Sequence, residues 1–186
     1  MKDFENLVEK TIASEEIFDG QVLHVFKDDV ELPNGKSATR EVIRHVGAVA
    51  IVPMTEDGKV VVERQFRYPI DEVITEIPAG KLDGKSEDRL SAAKRELEEE
   101  TGLLAEEWIE LGDYAPAAAY CDEVIKMYLA KGLKKGTRNL DEDEFLNIRE
   151  VPLEELVADI MEGKIADGKT QVAILKTHFL LKKENA

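Results

Sequence analysis

The run Gly47-Ala48-Val49-Ala50-Ile51-Val52-Pro53-Met54 is apolar at every position and ends in the turn residues Thr55-Glu56-Asp57-Gly58. At that length, rich in β-branched residues, it reads as a strand buried on both faces. Other β-prone segments surround it, at 22–26, 30–32 and 38–44 before it and at 59–66, 73–77, 108–114, 123–130 and 145–151 after it. Pro33-Asn34-Gly35-Lys36 reads as a hairpin turn in which Asn-Gly supplies the positive-φ positions. Helical periodicity covers 86–101, 152–162 and 171–182. Strands, one helix, further strands and then two helices indicate an α+β fold, a mixed α/β sandwich, and not a regular βαβ repeat. Residues 1–45 form the expected antiparallel platform or dimerisation arm, and 46–186 the main domain.

Charge and composition exclude several classes of function. The formal net charge of −15 repels nucleic acid and anionic membrane. The longest apolar run is far too short to span a bilayer. One cysteine, Cys121, cannot form an internal disulfide framework. The opening residues carry no apolar stretch of the signal-peptide kind, and the expected location is cytoplasmic. His24, His45 and His178 are too scattered for a zinc site.

The helix at 86–101 carries the unusual chemistry. Ser86 is the expected N-cap, Gly102 the expected stop, and Leu90, Ala93 and Leu97 recur at helical spacing as the buried stripe. Glu96 and Glu100 are four apart and share a face, with Glu99 beside them. Like charges at that spacing destabilise a helix, and a divalent cation would reverse the sign of that term. A second acidic cluster, Asp141-Glu142-Asp143-Glu144, precedes the strand at 145–151.

The order of residues around this helix, Glu87, then Arg95-Glu96-Leu97-Glu98-Glu99-Glu100-Thr101-Gly102-Leu103, resembles the second half of the signature of the Nudix hydrolases. Six residues separate the leading Gly80 from Glu87, where the family usually has five, and an insertion in a loop costs little. The resemblance implies a mixed sheet between helices, with the N-terminal strands similar to the platform of the ADP-ribose pyrophosphatase branch, which tends to dimerise. It also implies hydrolysis of a pyrophosphate bond with Mg²⁺ or Mn²⁺ as cofactor, held by Glu96, Glu99, Glu100 and the carbonyl of Ala79. Arg95 then orients a carboxylate, and Glu142, or failing it Glu144, takes the proton of the attacking water. Arg67, Arg40 and Gly80 are candidates for substrate contact. Phe18 is a candidate adenine-stacking residue, with a plain core aromatic as the favoured alternative.

Residues Ala117-Ala118-Ala119-Tyr120-Cys121-Asp122-Glu123 align with a segment in which the ADP-ribose branch commonly has proline and glycine where Ala118 and Ala119 stand. The implied partner is a small-molecule nucleotide, ADP-ribose first and another nucleotide sugar or a dinucleotide second. A non-catalytic nucleotide sensor is the reading from a different class.

Overall fold

The computed structural model describes residues 7–140 and 145–184. By contact it divides into two compact units, 1–46 with 117–123, and 47–116 with 124–186.

The first unit is a three-stranded antiparallel sheet in the order β1-β2-β3, formed by β1 (Lys10–Asp19), β2 (His24–Glu31) and β3 (Ser37–Arg44). The two short segments expected at 22–26 and 30–32 are one strand. Asp28 and Asp29 between them are poor strand formers, but Asp28 is buried and accepts from Ser14 Oγ at 2.6 Å and Arg44 Nη2 at 2.5 Å. At the β2–β3 turn only Gly35 takes positive φ, at 77°. Asn34 instead accepts the Lys36 N–H on its side chain at 3.1 Å. Segment 117–123 joins this unit through Ile43, whose N–H donates to Tyr120 O at 2.7 Å and whose carbonyl accepts from Asp122 N–H at 3.1 Å.

The second unit holds a mixed sheet in the order β7-β4-β9-β8, made of β4 (Ala48–Pro53), β7 (Ala79–Lys81), β8 (Leu103–Tyr114) and β9 (Ile125–Lys135). β4 and β9 run parallel, and the other neighbours are antiparallel. Every residue of β4 is buried, as its composition requires. Alternate residues point to opposite faces. Ala48, Ala50 and Val52 pack with Leu153, Leu156 and Ile160 of α2 (Leu153–Met161) and Ala173 and Ile174 of α3 (Gly168–Glu184). Val49 and Ile51 face the other side, where α1 (Arg89–Thr101) packs with Ala93 and Leu97 fully buried. A second sheet, β10-β5-β6, joins β5 (Lys59–Arg67), β6 (Glu72–Glu76) and β10 (Asn147–Pro152). The mixed sheet between helices and the antiparallel N-terminal sheet are the architecture read from the sequence.

Helix α1 starts three residues later than expected, with Asp88 in place of Ser86 as N-cap, accepting from Ser91 N–H at 2.8 Å. The reason lies in the preceding loop. Glu87 N–H donates to Gly84 O at 3.1 Å, and its carboxylate accepts from Asp83 N–H at 2.6 Å, so Glu87 closes the loop and the helix begins beyond it. Arg89 at the first helical position then donates to the carbonyls of Val124 at 3.2 Å and Ala48 at 3.4 Å, fixing the helix start to the sheet. Gly102, at φ 70°, ends α1 as expected.

Candidate active site

Strand β7 and helix α1 build the site together. β7 pairs with β4, Val49 opposite Gly80 and Ala50 opposite Ala79. This lays the backbone of residues 79–81 along the glutamate face of α1. The Glu96 carboxylate lies so close to Gly80 that a Cβ there would sit 2.0 Å from its carboxyl carbon. A side chain there would have to displace the Glu96 carboxylate, which gives the leading glycine a steric reason apart from backbone conformation.

Glu96, Glu99 and Glu100 are each met by a donor, Arg95 serving two of them. Glu96 and Glu100 are buried, at 9 % and 5 % exposure. Ala79 N–H donates to Glu100 Oε2 at 3.0 Å. Arg95 Nη1 donates to Glu96 Oε1 at 2.8 Å and to Glu99 Oε2 at 3.0 Å. Its other nitrogens reach Glu87 Oε1 at 3.4 Å and Lys81 O at 3.3 Å, with Asp83 at 3.8 Å. Burial opposes the charge of this guanidinium, but Glu96, Glu99 and Asp83 more than offset it and hold its pKa above the ordinary arginine value. Arg95 is thus the hub of a carboxylate cluster. Glu98, the glutamate given no task by the sequence, accepts from Thr137 N–H at 3.2 Å.

Carboxylate and carbonyl oxygens are hard donors, the kind that Mg²⁺ and Mn²⁺ prefer. The residues suit such an ion in kind, since Glu96, Glu99 and Glu100 project from adjacent turns beside Ala79. Among the described residues no three His, Cys, Asp or Glu side chains converge as a finished cage.

Glu142 and Glu144 lie outside the described residues. Arg67 is committed to a bidentate pair with Glu76, Nε to Oε1 at 2.5 Å and Nη2 to Oε2 at 2.8 Å. Arg40, on β3, pairs with Glu9 and donates to Thr39 O at 2.9 Å. Phe18 is 56 % exposed on β1, so the core reading is wrong. Every residue of this edge strand is exposed, and alternation alone could not reveal that among the described residues no layer covers either face.

A buried ionic cluster that sequence reasoning missed stands behind β7. Glu76, 1 % exposed, receives Arg67 from one side and Lys169 Nζ from the other, and Lys169 also contacts Asp167 at 3.2 Å. Next to it, Ile77 N–H donates to Thr170 Oγ1 at 2.9 Å. These bonds join the start of α3 to the residues leading into Ala79 and Gly80. The one sequence signal was Glu76 itself, a charged residue where strand and core meet. Lys169 carried none. Burial pushes the Glu76 pKa up, but Arg67 and Lys169 outweigh it and hold the group below the ordinary carboxylate value of 4.5. A depressed folded pKa means stability that is present above that value and lost as pH falls through the folded pKa. Glu76→Gln is therefore expected to be less stable than wild type at neutral pH by about 3–5 kcal/mol, the scale for breaking a buried pair, with the gap narrowing below pH 4.5. Urea unfolding from pH 7 to pH 3 checks this, and a pH-independent gap would refute it.

Comparison with known proteins bears on what this site belongs to. Residues 44–171 match the NUDIX domain and residues 9–43 the nucleoside diphosphate sugar hydrolase N-terminal domain. A Bacillus methanolicus protein named methanol dehydrogenase activator is 47 % identical over 168 residues, 89 % of this chain and 90 % of its own. The ADP-ribose pyrophosphatase of Bacillus subtilis (strain 168) is 43 % identical over 171 residues, 91 % of this chain and 92 % of its own. A crystal structure of an ADP compounds hydrolase has the same fold at a TM-score of 0.85 and 24 % identity, covering 96 % of this chain and 97 % of that one. The glutamate helix docked on its glycine strand, the domain match over 44–171 and these relatives agree, and the chain belongs to the Nudix hydrolase family.

Proposed function

We propose that this Nudix hydrolase cleaves the pyrophosphate bond of ADP-ribose, releasing AMP and ribose 5-phosphate, with Mg²⁺ or Mn²⁺ held by Glu96, Glu99, Glu100 and the Ala79 carbonyl. Hydrolases of this family generally need a divalent metal. The observation that carries the reading is the Glu96–Gly80 approach, with Glu96 and Glu100 buried and the Glu96 carboxylate filling the space a side chain at Gly80 would take. The similarity to an ADP-ribose pyrophosphatase at 43 % identity supports the substrate.

In this reading the cation neutralises charge on the diphosphate oxygens. The protein does the rest by positioning. Arg95 orients Glu96 and Glu99, and Ala79 N–H orients Glu100. Glu142, or Glu144, accepts the proton of the water that attacks phosphorus, as the bond to the bridging oxygen breaks and the leaving phosphate departs. Arg67 would contact the diphosphate only by exchanging Glu76 for it. Arg40 and Phe18 belong to the platform unit, and in this reading they serve the terminal sugar or the adenine.

A second substrate reading has its own support. Ala118 and Ala119 replace the proline and glycine common in the ADP-ribose branch, and residues 9–43 match a domain described for nucleoside diphosphate sugar hydrolases. Nucleoside monophosphate release from ADP-ribose, a nucleotide sugar and NADH with Mg²⁺ discriminates the two, and turnover of the sugar nucleotide alone decides for the second. Binding of ADP-ribose with no turnover in either cation would instead mark a sensor. In the same assay Glu100→Gln is expected to lose at least about 100-fold in turnover, the scale for a lost electrostatic group. Gly80→Ala, which displaces Glu96 without touching its charge, should lose about as much. Near-wild-type turnover in both variants would sink the assignment.

The proposal includes the platform, residues 1–45, as a dimerisation arm for the Nudix domain at 46–186. β1 is an edge strand bearing exposed Ile12, Ile17 and Phe18, and uncovered apolar edges invite pairing. Sedimentation is expected to give twice the chain mass, and Ile17→Lys with Phe18→Lys to give the monomer. A wild-type monomer at micromolar concentration would exclude the arm.

A further inference from the structure

Between Glu76 and Ala79 the chain leaves one sheet and enters the other, since β6 pairs with β5 and β7 with β4. A backbone N–H at such a crossing falls outside the strand ladders, and leaving it unmatched in the interior is costly. Ile77 is fully buried there, and Pro78 brings no N–H of its own. Each of the four residues is nevertheless fixed, and each by a different group. Lys169 Nζ meets the Glu76 carboxylate. Thr170 Oγ1 accepts the Ile77 N–H at 2.9 Å. Pro78 O accepts from Ile51 N–H on β4 at 2.9 Å, and Ala79 N–H donates to Glu100 Oε2 on α1 at 3.0 Å.

Two of these anchors come from one run, Asp167-Gly168-Lys169-Thr170, where α3 begins. Asp167 stands just before the helix and accepts from Thr170 N–H at 2.9 Å and from Thr170 Oγ1 at 2.5 Å. A hydroxyl has one proton to give and two lone pairs. Asp167 takes the proton, so a lone pair of Thr170 Oγ1 is turned to the Ile77 amide. Thr170 and Ile77 are both fully buried, and no bulk water competes for the bond between them. Gly168 lets the run seat against β8, because a Cβ there would collide with Tyr114 Oη.

We infer that Thr170 is a positioning residue for the cation site, its hydroxyl locking the Ile77 amide so that the Ala79 carbonyl and Gly80 are held in one place beside Glu96 and Glu100. The inference rests on the reading above that Glu96, Glu99, Glu100 and the Ala79 carbonyl hold the cation. The role is indirect. Thr170 acts two residues upstream of Ala79, through a segment whose later anchors already belong to β4 and α1. Groups that orient the ligands of a metal commonly control its affinity by about 10- to 100-fold.

Thr170→Val keeps the shape of the side chain and removes the hydroxyl, whereas Thr170→Ser keeps the hydroxyl. Calorimetric titration of Mn²⁺ into each protein without substrate, at a temperature where circular dichroism shows it folded, reads the site apart from turnover. Thr170→Val is expected to bind Mn²⁺ about 10- to 100-fold more weakly and to need correspondingly more Mg²⁺ for half-maximal turnover of ADP-ribose, with Thr170→Ser near wild type. Wild-type Mn²⁺ affinity in Thr170→Val, or an equal loss in both variants, overturns the positioning role. Should Thr170→Val not fold, Asp167→Ala carries the test, because it releases the hydroxyl from its acceptor. Weaker Mn²⁺ binding is expected there also, and unchanged affinity overturns the role. Glu100→Gln separates this inference from the reading beneath it. Unchanged Mn²⁺ affinity in Glu100→Gln refutes the cation site and the inference with it, whereas a loss there beside full affinity in Thr170→Val refutes the inference alone.

Discussion

Carboxylates one helical turn apart repel each other, and this structure depends on how that repulsion is met. On an exposed helix such a pair destabilises by a few tenths of a kcal/mol, but burial raises the penalty because the ions lose water. Glu96 and Glu100 are both buried. The chain answers with donors fixed in place. Arg95 serves Glu96 and Glu99 from the same helix, and the Ala79 amide serves Glu100 from the neighbouring strand. The acidic face is therefore preorganised before any ligand arrives. A preorganised charged surface does not have to reorganise when charge develops on a substrate.

That face is only as well placed as the strand beside it. β7 is three residues long, and two devices hold it. It pairs with β4, the fully buried strand at the centre of the mixed sheet. Just upstream, Glu76 and Ile77 are bonded to Lys169 and Thr170 at the start of α3. The Glu76 cluster places charge in the interior, where removing one partner leaves the others uncompensated. The helix on one face of the sheet is thus linked, through the backbone of residues 76–80, to the helix on the other.

Much of this was legible beforehand, wherever the signal is local. The apolar run at 47–54 read correctly as a strand covered on both faces, and Leu97 and Ala93 as the buried stripe of α1. Gly102 read as its stop. The glutamates at 96, 99 and 100 stood out by order and not by charge, because only the order matched a known pattern. The N-cap was misread by two residues, since Ser86 and Asp88 are both good caps and the choice was made by Glu87, which closes the loop before the helix. Phe18 was misread because an apolar side chain on a strand looks the same whether or not a layer covers it.

By itself the sequence determined the central buried strand, the three helices and the carboxylate face of α1, since periodicity and spacing operate within a few turns of the chain. Tertiary structure alone decided which groups meet across long separations. It set Gly80 against Glu96, Lys169 against Glu76, and Arg138 between the carbonyls of Glu100 and Leu146. Those contacts follow from the order of strands in the sheets and the packing of helices on them, and no local pattern of residue types encodes that order.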